Sequence, residues 1–288
     1  MNRPVPTKSF EHASRRCIFC GNPANSEEHV WPKWMHPLLP QVNGHEQFTF
    51  EGLVSRPVVS RTRHRRRQGS MFKTAIKRVC KTCNNEWMGR YEEQVRGVIT
   101  AMMIGPAVAL GFETRELIKQ YITFKLMVLD WSSGEPFFSQ DERTLFYQRR
   151  ICPETLQFVL ACCPDPSMHT FYHTHFMEAA ETNLIDMHDG KRNLKTIAFS
   201  YGQIFIIALC RRGAASGVSL DTKAGWIGLD VKPSLILNWP PYYKISAAVA
   251  RSASETLQAM KSHSDVRIAD DLDIARAEIK ERDALKRE

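Results

Sequence analysis

The chain has 288 residues, 43% hydrophobic and 24% charged, with a formal net charge of +8. That balance belongs to a globular chain able to bury a sizeable core, and it excludes collagen-like and wholly disordered proteins. The longest uncharged runs, Gly97 to Phe112 and Thr196 to Cys210, fall short of the ~20 apolar residues a bilayer requires, so no membrane partner is expected.

The first residues, with Arg3, Lys8, Glu11, Arg15 and Arg16, lack the apolar stretch of a secretory leader. A cytoplasmic location is therefore expected, where thiols stay reduced and paired cysteines favour a metal over a disulfide. The length favours two domains. After a polar arm, Cys17-Ile18-Phe19-Cys20 forms a thiol knuckle followed by turn signals at Gly21 and Asn22-Pro23. Ser26 to Pro32 reads as a short extended segment ended by proline. Trp31, Trp34, Met35, Leu38 and Leu39 are expected to pack over the knuckle. From Gln41 to Ser70 the pattern is an insertion of strands and turns, with a hairpin signal at Asn43-Gly44, weak alternation from Phe48 to Val54 and a basic loop from Arg61 to Gly69. Phe72 to Val79 reads as a last strand.

Next comes Cys80-Lys81-Thr82-Cys83, and Trp87, Met88, Tyr91, Val95, Val98, Ile99 and Met102 repeat at the helical period. The second thiol pair thus opens a helix that reaches about Met103 and is broken by Gly105-Pro106. A Cys-x-x-Cys knuckle and a Cys-x-x-Cys on the first turn of a helix supply four soft ligands to a tetrahedral ion. Cys17, Cys20, Cys80 and Cys83 are therefore expected to hold a structural Zn²⁺.

Between Gly52 and Asn85 there is no Asp or Glu, while ten Lys and Arg occur. This segment alone exceeds the net charge of the whole chain. A concentrated positive block beside a metal site is an electrostatic footprint for phosphate backbone. Arg61, Arg63, Arg65, Arg66, Arg67, Lys73 and Lys77 are the candidate contacts to nucleic acid.

Beyond residue 105 a mostly apolar helix is expected from Thr114 to Trp131. Phe158 to Ala161, Phe171 to Met177, Leu194 to Phe199 and Gln203 to Leu209 read as strands, with turns at Asp189-Gly190 and Tyr201-Gly202. Trp226 to Leu229 and Leu235 to Trp239 add shorter ones. Ala247 to Met260 and Asp265 to Leu285 read as helices, the last carrying alternating charge. His169, His173 and His175 are read as surface histidines, and Cys152, Cys162, Cys163 and Cys210 as buried apolar fillers because they lack metal spacing. The expected class is α+β, with a first domain over 1–105 and a mixed α+β domain over 106–288 that ends in charged helices.

Three elements in order, Cys17-x-x-Cys20, Glu28-His29-Val30-Trp31-Pro32 and Cys80-x-x-Cys83-Asn84, resemble the zinc-stabilised HNH endonucleases, whose ββα core is built on a treble-clef finger. The resemblance covers about the first hundred residues. It implies a metal-dependent endonuclease in which His29 is the general base and Glu28 and Asn84 hold one catalytic Mg²⁺ or Mn²⁺. An imidazole titrates near neutral pH, and a carboxylate with an amide oxygen suits such a hard ion. Asn84 stands where many members carry histidine, and the middle asparagine of the pattern has no clear equivalent. The alternative is a non-catalytic zinc finger that binds nucleic acid. In the endonuclease reading the remainder of the chain would bind DNA, receive a regulatory ligand or form a homodimer.

Overall fold

The computed structural model describes residues 15–40, 48–52, 63–67, 72, 75–133, 136–181, 193–213, 219–220, 225–255, 260–261 and 266–270. In chain order the elements are β1 (Ser26–His29), β2 (Phe48–Gly52), β3 (Arg63–Arg67), β4 (Ala75–Val79), α1 (Lys81–Cys83) and α2 (Gly89–Ile104). They continue with β5 (Val108–Leu110), α3 (Phe112–Leu129), α4 (Gln140–Arg149), β6 (Leu156–Cys162), β7 (Tyr172–Glu181), β8 (Leu194–Tyr201) and β9 (Ile204–Arg211). Last come β10 (Ser219–Leu220), β11 (Trp226–Gly228), β12 (Leu237–Trp239), α5 (Ala247–Glu255), β13 (Met260–Lys261) and β14 (Val266–Asp270). This is a mixed α+β architecture.

Its centre is a six-stranded antiparallel sheet in the order β11-β6-β9-β8-β7-β14. Successive side chains of a strand face opposite ways, and along the central strands β6, β9 and β8 both faces are covered. Along β9, Ile204, Ile206, Ala208 and Cys210 join the larger core, while Phe205, Ile207 and Leu209 join a second one. This accounts for an unbroken apolar run instead of the alternation usual in an antiparallel sheet with one wet face. Tyr201-Gly202 makes the β8–β9 turn. Gly202 has φ +56°, and a Cβ there would lie 2.9 Å from the Met103 carbonyl oxygen, so only glycine fits.

On the larger core side, Ile118, Ile122 and Phe124 of α3 and Val95, Ile99 and Met102 of α2 pack with the sheet. The same core takes in Cys17, Ile18, Phe19, Val30, Trp31 and Met35 from the first part of the chain. It therefore runs unbroken past residue 105. There α2 ends at Gly105 in the left-handed region, φ +100°, its N–H bonded to the Ala101 carbonyl, as its glycine predicts. Trp31, Met35 and Leu39 are buried as expected, whereas Leu38 is exposed.

Several expectations need correcting. The start of the helix expected over 265–285 is instead β14, paired antiparallel with β7 from Val266↔Glu181 to Asp270↔Met177. Val266 and Ile268 also satisfy a period of two, and an open sheet edge decides between the two patterns. Residues 271–288, and with them the rest of the expected charged helix, lie outside the described residues, as do Asn43-Gly44 and Asp189-Gly190. Within the expected basic loop, Arg63–Arg67 are β3, paired with β2 from Phe48↔Arg67 to Gly52↔Arg63. His173 is buried, not superficial, and its Nδ1 lies 3.0 Å from the Ser254 carbonyl oxygen. Cys162, Cys163 and Cys210 are buried as expected.

Candidate metal centre and the adjoining strand

Cys17 and Cys20 sit on a tight turn whose ends are fixed by backbone bonds: Cys17 N–H to Asn22 O at 2.6 Å and Gly21 N–H to Cys17 O at 3.0 Å. Gly21, at φ +76°, supplies the left-handed residue this turn demands. Ile18 N–H donates to Arg78 O at 3.0 Å and so ties the knuckle to β4. Strand β4 pairs antiparallel with β1 and leads directly into Cys80. Cys80 caps α1, its Sγ accepting from Cys83 N–H at 3.3 Å. These steps bring together two thiol pairs some sixty residues apart.

The four sulfurs of Cys17, Cys20, Cys80 and Cys83 all lie within 4.8 Å of one another, with Cys20 and Cys80 at 3.5 Å. Tetrahedral zinc with Zn–S near 2.3 Å requires sulfur–sulfur edges of about 3.8 Å, so the cluster fits a structural metal such as zinc. Cys17, Cys80 and Cys83 are buried and Cys20 is partly open. Hydrogen bonding from Cys83 draws the Cys17 thiol well below its ordinary value, and the same bond pushes Cys83 up. Among the described residues this is the one group of three or more His, Cys, Asp or Glu placed to share an ion.

After Cys83 the helix widens into a π turn over Asn84–Met88, where Gly89 N–H reaches back to Asn84 O, before α2 resumes. Asn84 faces β1. Its Nδ2 donates to Ser26 Oγ at 2.8 Å and to Glu27 O at 3.0 Å, while Lys81 N–H bonds Asn25 Oδ1 at 2.9 Å. The helix start is thus stitched to the strand that carries Glu28 and His29.

Within β1 the two acidic neighbours part company. Glu27 is exposed and pairs with Lys77, itself exposed. Glu28 turns inward, 6% exposed, and pairs with Lys125 of α3. The Lys125 Nζ also binds Glu92 Oε1 of α2 at 2.7 Å and reaches the His29 carbonyl at 3.4 Å. Burial raises the Glu28 carboxyl above its ordinary range and outweighs the opposing pull of Lys125. Burial lowers Lys125, but Glu28 and Glu92 outweigh it and hold the ammonium above its usual value. One cation thus faces two carboxylates, one of which resists ionising. His29 ends β1, half-buried. Its imidazole is lowered first by burial and then by Lys33, His36 and Lys125, against Glu27.

Of the expected catalytic set, His29 and Asn84 therefore stand on adjoining elements, while the Glu28 carboxylate faces the interior and Lys125. As arranged it offers no open site to a hard divalent ion. Of the expected nucleic-acid contacts, Arg63, Arg65, Arg66 and Arg67 lie on β3, Lys77 lies on β4, and Arg61 and Lys73 lie outside the described residues.

Two charged residues that the sequence reading passed over organise the interior. Lys125 lies in an otherwise apolar stretch of α3. Asp130, fully buried, takes Lys195 on Oδ1, Arg143 on Oδ2 at 2.8 Å, and the N–H groups of Phe137 and Phe138. A charge inside an apolar run must find a partner, and that signal was present in both cases.

Fold and site together define the class: a mixed α+β protein in which two separated Cys-x-x-Cys pairs form a centre able to hold a structural metal. No helix among the described residues is long and apolar enough to cross a membrane. No family model, curated protein or solved structure matches the chain.

Proposed function

We propose that the chain is an HNH-type endonuclease, a zinc-stabilised treble-clef module that hydrolyses nucleic-acid phosphodiester bonds, with DNA the first substrate to test. The observation that carries the proposal is the convergence of Cys17, Cys20, Cys80 and Cys83, which sets the His29 strand against the Asn84 helix start. His29 is the general base. Its lowered pKa keeps the ring neutral at pH 7, the form that can take a proton from water. Zinc at the cysteines supplies scaffold only. Because the Glu28 carboxylate is withdrawn to Lys125, His29 alone carries the chemistry.

Supercoiled plasmid incubated with Mg²⁺ or Mn²⁺ tests this. Wild type should nick it, and His29→Ala should lose about a hundredfold or more in rate with its zinc retained. The wild-type rate should hold as pH falls to the ordinary imidazole range and drop only below it, through the depressed value. Equal cleavage by both proteins would sink the proposal. The Glu28–Lys125 pair favours a second reading, a non-catalytic zinc finger. That reading gives salt-sensitive nucleic-acid binding without nicking.

A further inference from the structure

Beneath the zinc knuckle lies an open cavity of about 550 Å³, bounded by the turn at 17–21, by Arg78 and Trp131, and by one face of α4. Neither Asp nor Glu lines it. Arg16 and Arg78 stand on its wall, with Gln140 from the first turn of α4 and Tyr147 and Gln148 from its last. The guanidinium carbon of Arg78 lies over the Trp131 ring, 4.2 Å from its centroid, a cation–π contact that holds the side chain at the cavity wall. Gln140 is anchored through Nε2 to the Ile18 carbonyl at 3.0 Å, which couples the α4 face to the knuckle.

We infer that this cavity is a binding site for a nucleotide unit, its phosphate between Arg16 and Arg78 and its base against the α4 face. The charge selects an anion, and guanidinium forks match phosphate oxygens bidentately. The space exceeds a lone phosphate and lies within the ordinary range for small-ligand sites, about 300–1,000 Å³. Tyr147 gives an aromatic surface for a base, and the Gln148 amide carries both donor and acceptor for a base edge. The unit arrives either as a free nucleotide or as one residue of a single strand. The inference shares with the proposed function only its direction toward nucleic acid and does not require cleavage.

Intrinsic tryptophan fluorescence of the full zinc-loaded chain reads the binding. The probes are adenosine 5′-monophosphate, cytidine 5′-monophosphate, inorganic phosphate and an oligothymidylate. Either mononucleotide or the oligonucleotide should bind more tightly than inorganic phosphate. Arg78→Gln and Gln148→Ala should each weaken it about tenfold, as expected for a lost charge-assisted or base-edge hydrogen bond, with zinc content unchanged. Mononucleotide binding assigns the site to free nucleotides. Binding of the oligonucleotide alone, falling with salt, assigns it to a strand. Binding that is absent, or equal in wild type and both variants, overturns the inference. So does loss of zinc in Arg78→Gln, which would make the arginine a partner of the thiolates instead. Plasmid nicking in the same variants separates the two claims: a failed pocket leaves His29-dependent nicking intact, and a failed nuclease reading leaves nucleotide binding intact.

Discussion

At the scale of single residues the ammonium of Lys125 is the tightest constraint near the candidate site, because Glu28, Glu92 and the His29 carbonyl all depend on it. Breaking a buried pair from one side costs far more than the pair contributes, since the remaining charge is stranded. Lys125→Met should therefore destabilise the fold by about 3–5 kcal/mol in urea unfolding, and Glu28→Gln in the same chain should recover much of that. The loss depends on pH. With its folded pKa raised, Glu28 contributes fully below its unfolded value and loses that contribution as pH rises through the folded one. Removing Lys125 raises the folded value further, so the single variant should be weakest at alkaline pH. A variant as stable as wild type at pH 8 would refute the assignment. The four cysteines able to hold a metal were legible because their paired spacing marks them. The inward turn of Glu28 was not: with two adjacent glutamates on a strand, alternation says that one goes inside but not which.

Among the elements, α4 was invisible to periodicity, its apolar positions being confined to Leu145, Phe146 and Tyr147, yet its start is written in Ser139-x-x-Glu142. The capping box is complete: Ser139 Oγ accepts from Glu142 N–H, and Glu142 Oε2 accepts from Ser139 N–H at 2.7 Å. Glu142 also takes Thr155, just before β6, and Arg212, just after β9. Burial pushes this carboxyl up, but the bonds from Thr155 and Ser139 and the charge of Arg212 outweigh it and hold it below the ordinary range. Ser139→Ala should cost about 1 kcal/mol. The cost of Glu142→Gln should be greatest near neutral pH and fade as pH falls through the depressed value, where the wild-type carboxylate is itself protonated. A pH-independent difference in urea midpoints would contradict this. The four central strands β6 to β9 and helices α2 and α3 could be read in advance because burial on one stripe or on both faces leaves a regular apolar record. Strand β14 could not, because edge pairing depends on a partner ninety residues earlier in the chain.

For the molecule as a whole, the decisive feature is that the core touching the knuckle is the same one that covers the sheet. Among the described residues the packing continues across residue 105, where α2 ends. Zinc removal should therefore destabilise the entire protein: chelation or Cys80→Ser should lower the midpoint of one cooperative thermal transition. Two separated transitions, only the first responding to chelator, would instead restore an independent metal-bound domain. One consequence concerns synthesis. The Trp31 indole donates to the Ser200 carbonyl at 2.9 Å and the Tyr201 hydroxyl to the Val30 carbonyl at 3.2 Å, across 169 and 171 residues. At a translation pace of about 5–20 residues per second, the segment bearing His29 waits roughly eight to thirty-four seconds for those partners to leave the ribosome. The nascent chain can gather its four thiols long before the strand bearing His29 meets its final packing partners, so whatever that strand does must wait until most of the message has been read.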